Sequence, residues 1–143
     1  MTWRLLREQL SIKGADEMRD LGARLAGELR IGDVVLLYGE LGAGKTTIVR
    51  GFIDALGYEG PVRSPTFNLI QLFATEPPVM HVDLYRVDSY KGLGVEDELA
   101  AHVSFIEWAE KAEGLIASED AWRIRIRFAP EGRTVSIELP GTT

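Results

Sequence analysis

The chain has 143 residues, 45% of them apolar and 27% charged, which is the size and balance of a globular protein folding around one hydrophobic core, so a single domain over residues 1–143 is expected. Its net charge of −6, with twelve arginines but only four lysines, lacks the basic surplus with which a protein grips nucleic acid unaided, and the absence of cysteine excludes disulfides, thiolate nucleophiles and thiolate metal sites. The longest apolar run, Val34–Tyr38, is five residues, far below the ~20 that cross a bilayer, and the first residues carry no apolar signal-peptide core, so a cytoplasmic protein without a membrane partner is expected.

In chain order, residues 3–12 read as a strand. Over residues 16–30, Met18, Leu21, Leu25, Ala26 and Leu29 recur at helical spacing. Gly32 and Asp33 then turn the chain into Val34–Tyr38, a continuous apolar run of the kind buried on both faces of a parallel sheet. A glycine-rich loop follows, then a helix predicted over residues 45–56 and stopped by Gly57. Strands are predicted at residues 66–73 and 79–84, divided by Pro77 and Pro78. A short helix over 96–101, opened by Glu96, Asp97 and Glu98, leads into a strand at 102–107. At the C-terminus, Trp122, Ile124, Ile126 and Phe128 alternate with arginines, and Val135, Ile137 and Leu139 alternate with polar residues after Pro130-Glu131-Gly132, the pattern of a hairpin. The expected architecture is α/β: a three-layer sandwich like that of P-loop NTPases, with a mixed, mainly parallel sheet and a C-terminal β-hairpin.

The loop Gly39-Glu40-Leu41-Gly42-Ala43-Gly44-Lys45-Thr46, followed by Thr47, matches G-x-x-x-x-G-K-[ST] at every fixed position. Glycines let successive backbone N–H groups turn inward around a polyphosphate, and the helix opening there adds the positive end of its dipole. Lys45 supplies a cation for the β and γ phosphates, and the Thr46 hydroxyl suits magnesium. In a chain of this composition the motif arises by accident about 0.004 times, and its position between an apolar strand and a helix strengthens the match. ATP and Mg2+ are the expected ligands.

Hydrolysis needs further parts: a carboxylate for the metal or its waters, a group that positions water, and a γ-phosphate sensor. Alternation puts His81, Asp83 and Tyr85 on one strand face. Asp83, at the end of an apolar strand, suits the magnesium shell; the plainer alternatives are a strand-end cap, with His81 a satisfied core histidine. Glu107 likewise ends an apolar strand and is a second candidate for metal shell or general base, and the adjoining Trp108 suits core or rim packing. Thr66, within Ser64-Pro65-Thr66-Phe67, resembles the switch threonine of GTPases, although a proline turn accounts for the segment too. The stripe Arg123, Arg125 and Arg127 fits a phosphate or acidic partner, or simply the solvated face of an amphipathic strand.

Taken in series, the segment at 39–47, Ser64-Pro65-Thr66-Phe67, His81-Val82-Asp83-Leu84-Tyr85-Arg86 and Ile106-Glu107-Trp108 resemble the TsaE (YjeE) family, ATPases of bacterial tRNA threonylcarbamoyladenosine synthesis. The run from Leu21 to Ala26 and the Gly32-Asp33 turn fit as well, so the resemblance spans residues from about 15 to 110. It departs at Phe73, where the family often has tyrosine, and at Ala109-Glu110-Lys111. The resemblance implies an ATPase that is weak alone and stimulated by TsaB and TsaD. Those partners transfer threonylcarbamoyl to the adenosine beside the anticodon of ANN-reading tRNAs, and ATP turnover resets them. It further implies that Lys45 holds phosphates, Thr46 and Glu107 ligate magnesium, Asp83 supports the metal's waters or activates the nucleophile, and Thr66 acts as switch. tRNA would be met only through the partners, in keeping with the acidic charge.

A small P-loop kinase phosphorylating a metabolite is the main alternative; Arg63 and Arg86 suit phosphate, but no long insert before Asp83 offers a lid. A GTPase would need a guanine-reading N-K-x-D, which is absent, and the D-x-x-G at Asp54-Ala55-Leu56-Gly57 falls on the helix after the loop. A passive nucleotide-binding module without turnover is a further alternative, against which the paired acids Asp83 and Glu107 argue.

Overall fold

The structure, a computed structural model, describes residues 9–60, 62 and 69–141. Thr66 and the rest of the candidate switch segment at 64–67, Arg63, and residues 3–8 of the first predicted strand lie outside the described residues.

Among the described residues, seven strands form one sheet in the order β1-β7-β6-β2-β5-β4-β3: β1 (Gln9–Ile12), β2 (Val34–Tyr38), β3 (Ile70–Phe73), β4 (Val79–Asp83), β5 (Val103–Glu107), β6 (Trp122–Phe128) and β7 (Arg133–Glu138). The four central strands, β6-β2-β5-β4, run parallel, while β3 joins β4, and β7 and β1 join β6, in antiparallel fashion. The mixed sheet with a parallel centre and the terminal β6–β7 hairpin are those the strand patterns imply.

The two-sided burial expected for β2 is present. Val35 and Leu37 point into one apolar cluster, Val34 and Leu36 into another. The first cluster lies under helices α1 (Ala15–Leu25) and α2 (Lys45–Ala55), whose buried faces carry Met18, Leu21 and Leu25, and Ile48, Val49, Phe52 and Ile53. The second is covered more thinly, by the one-turn helix α3 (Val95–Glu98) with Val95 and by the 3-10 turn Ala109–Ala112 with Ala109 and Ala112. The predicted helix over 96–101 is in fact α3 followed by a 3-10 turn at Leu99–Ala101.

α1 is shorter than its apolar period suggests. From Ala26 to Glu28 each N–H bonds the carbonyl three residues back, tightening the last turn into 3-10 geometry, while Leu29 still buries its side chain. α1 and α2 touch backbone to backbone. A Cβ on Gly22 would lie 2.1 Å from the Ile48 carbonyl oxygen, and one on Gly51 2.1 Å from that of Arg19. This pair of glycines seats α2, and the loop that opens it, against α1.

Candidate functional site

β2 leads directly into the loop at 39–46, and Gly44 is the N-cap of α2. Gly42 and Gly44 sit at φ 79° and 119°, left-handed backbone that glycine adopts without steric cost. No side chain caps α2, and its first turn holds no acidic residue. The leading N–H groups of the helix are therefore left for an external acceptor, an arrangement that suits an anion.

The loop opens on a cleft of about 380 Å3 lined by Leu41, Gly42, Gly44, Lys45, Thr46, Thr47, Leu69, Asp83, Tyr85, Arg86, Glu107 and Trp108. Its floor follows from strand register. β4 and β5 run parallel with Asp83 opposite Glu107, so two strand-end carboxylates stand side by side beneath α2. The Thr46 hydroxyl donates to Glu107 Oε2 at 2.7 Å, and His81 Nε2 lies 2.6 Å from the same oxygen. His81 is fully enclosed, and Glu107 is 3% exposed. The structure thus brings Lys45, Thr46, Asp83 and Glu107 into one cleft and adds His81, which the sequence left between core packing and function. Its period-2 phase with Asp83 already placed it on that face, but its partner Glu107 lies on another strand, 26 positions on.

Asp83 also does what the plainer reading assigned to it. Its Oδ1 accepts the Tyr85 N–H at 2.9 Å, capping the strand end, while the residue still lines the cleft. Trp108 belongs to the rim. It holds left-handed backbone at φ 59°, its ring lies 4.9 Å from that of Tyr85, and Lys45 Nζ stands 3.8 Å over the indole. Lys45 Nζ also donates to the Gly39 carbonyl. Burial pulls the Lys45 ammonium below the ordinary lysine range, and the carboxylates of Glu107, Asp83 and Glu110 oppose that shift.

Two findings concern the hairpin. Arg123 is buried and donates to Glu138 Oε2 at 3.1 Å; Arg125 pairs with Glu138 Oε1 and lies 4.7 Å from the Tyr38 ring centre. The solvated-face reading of the arginine stripe therefore holds only for the exposed Arg127. The arginine that reaches the glycine loop is another one. Arg133 donates from Nε to the Ala43 carbonyl at 3.2 Å and from Nη2 to the Gly42 carbonyl at 3.3 Å. Because the peptide is planar and trans, an Ala43 carbonyl turned toward Arg133 turns the Gly44 N–H the opposite way. No spacing rule in the sequence links position 133 to position 43.

With this geometry in hand, comparisons with known proteins converge. The family described as "Threonylcarbamoyl adenosine biosynthesis protein TsaE" matches residues 12–135. Among curated relatives, the tRNA threonylcarbamoyladenosine biosynthesis protein TsaE of Streptomyces coelicolor is 46% identical over 117 residues, covering 76% of this chain and 78% of that protein. The protein of the same name from Haemophilus influenzae is 32% identical over 109 residues, covering 73% and 68%. Among solved structures, the crystal structure of Bacillus subtilis YdiB superposes with a TM-score of 0.78 at 30% identity, over 95% of this chain and 88% of that one.

Proposed function

The chain belongs to the TsaE family, and from that premise we propose that it hydrolyses magnesium–ATP in the cleft at residues 39–47 in the service of tRNA threonylcarbamoyladenosine formation, acting on TsaB and TsaD in the cytoplasm and meeting tRNA only through them. The observation that carries the ATPase reading is the Thr46–Glu107 hydrogen bond. A phosphate-loop hydroxyl and a strand-end carboxylate meet at 2.7 Å beside an uncapped helix N-terminus, with Asp83 in register alongside.

The donor set suits magnesium. Thr46, Glu107 and Asp83 offer hard oxygens, and no cluster of three or more histidines and acids among the described residues encloses a metal unaided. Magnesium favours such sites because it keeps waters and shares its shell with substrate phosphates. When bound, it supplies charge neutralisation at the β and γ phosphate oxygens.

The chain's own groups then divide the work. The N–H groups at the start of α2 hold phosphate oxygens, and the helix dipole favours their charge. Lys45 needs only to move from the Gly39 carbonyl to the phosphates, and an anion there stabilises the ammonium charge that burial disfavours. Asp83 or Glu107 takes a proton from, or orients, the attacking water. In this reading Thr66 senses the terminal phosphate.

The test is phosphate release by the wild-type chain and by Lys45→Ala, each with and without purified TsaB and TsaD. Turnover that is slow alone, raised by the partners and lost in Lys45→Ala is expected. Turnover with no stimulation and no physical association would end the tRNA-modification role while leaving the ATPase intact.

A further inference from the structure

The role just described leaves one fully buried titratable side chain without a task. His81 stands on β4 two residues before Asp83, so both face the helix side of the sheet. In the parallel register His81 opposes Phe105, and the imidazole reaches one step forward along β5 to Glu107. Its Nε2 lies 2.6 Å from Glu107 Oε2, the oxygen that also accepts the Thr46 hydroxyl at 2.7 Å. A carboxylate can only accept here, so the tautomer assigned from this bond is Nε2–H.

The other ring nitrogen, Nδ1, is buried and makes no hydrogen bond among the described residues. A buried nitrogen without a partner costs stability. As core packing alone, histidine is therefore a poor choice at a position where leucine would fill similar space. The bond to Glu107 is what the imidazole offers in return.

We infer that His81 is a positioning residue: with Thr46 it loads Oε2 of Glu107 from two directions, fixing the carboxylate plane and presenting Oε1 to the cation. Both of the carboxylate's hydrogen bonds among the described residues end on Oε2. A glutamate has three rotatable bonds to order, and two donors on one oxygen order them before the metal arrives. Outer partners of this kind orient metal-binding carboxylates and tune their affinity. The inference rests on the magnesium–nucleotide reading above, and the experiment separates the two.

ADP binding is measured by calorimetry with EDTA and with Mg2+ for the wild type, His81→Leu and His81→Gln, and the quantity of interest is the tightening that Mg2+ brings. In His81→Leu the EDTA affinity should stay within about twofold, while the Mg2+ concentration needed for tightening rises by about 10–100-fold. His81→Gln, whose amide N–H can donate from near the place of Nε2, should keep most of the magnesium response. An unchanged magnesium response in His81→Leu overturns the inference, as does a loss equal in EDTA and Mg2+, or an equal loss in both variants. Should His81→Leu fail to fold, the wild-type ring signal decides. The chain has only two histidines, so the His81 Nε2–H resonance is readily assigned; it should move when Mg2+ is added to the ADP complex, and a stationary signal overturns the inference. A wild type that binds no ADP overturns the nucleotide reading itself, and this inference with it.

Discussion

The two flanks of β2 carry charge to the same loop in opposite ways. On one side, β5 and β4 end in Glu107 and Asp83, on the helix-covered face where the loop at 39–46 opens, and both acids line the cleft. On the other side, β6 presents Arg123 and Arg125 from the opposite face, since their neighbours Trp122, Ile124 and Ile126 fill the helix-side core. Those arginines share one carboxylate, Glu138 of β7, one strand over. Among the described residues of the hairpin, Arg133, at the start of β7, turns back to the loop, and it grips carbonyl oxygens. A run of charges on a strand thus has no fixed meaning. The face it occupies, and whether an opposite charge lies one strand away, decide between the lining of a cleft and a brace.

The contrast can be broken at its acidic side first. In our reading Glu107→Gln keeps the shape of the side chain but loses the anion, so nucleotide affinity measured with EDTA should fall by no more than a few fold while the hydrolysis rate drops by about 10²–10⁴-fold, the usual scale for a positioned acid or base. Single-turnover phosphate release beside an ADP titration checks this. Normal turnover would remove Glu107 from the chemistry and leave the acidic flank no more than a structural match to the basic one.

The next largest effect belongs to the brace. Arg133→Met keeps an unbranched apolar side chain but removes the guanidinium, whose carbon lies 4.4 Å from the Phe128 ring centre, and so releases the Gly42 and Ala43 carbonyls. Each such hydrogen bond is worth about 1 kcal/mol net. ADP and ATP should both bind about tenfold more weakly, with the magnesium response intact, because a brace on the loop serves every phosphate-bearing ligand alike. Titrations of both nucleotides would show it, and a loss confined to ATP would contradict the brace.

The smallest effect sharpens the comparison from the silent end of the stripe. Arg127 is exposed, and Arg127→Ser should change neither nucleotide affinity nor partner-free turnover by more than about twofold, as for most surface substitutions. A larger loss would mean that the outer end of β6 meets the nucleotide after all.

How much of this was legible beforehand depends on how local each cause is. The glycine loop, the two-sided burial of Val34–Tyr38 and the hairpin at 122–139 are written in short-range patterns: a turn chemistry, a run length and a period of two. Each would read the same in any chain that carried it. α1 was over-extended by the same reasoning, because Leu29 keeps the apolar period after the backbone has already tightened away from the helix.

The sequence by itself determined which residues could do chemistry; the tertiary structure decided which of them meet. Asp83 and Glu107 are 24 positions apart and become neighbours only because β4 and β5 pair in parallel register. Thr46 and Glu107, 61 positions apart, share a hydrogen bond because α2 is seated by its glycine contact with α1. Arg133 reaches Ala43 across 90 positions. Contacts of that range follow from strand order and helix packing, which sum weak preferences over the whole chain, and no local pattern encodes such a sum. Hence the glycine loop could be read from eight residues, while the carboxylate it leans on, the histidine behind that carboxylate and the arginine behind the loop required the fold.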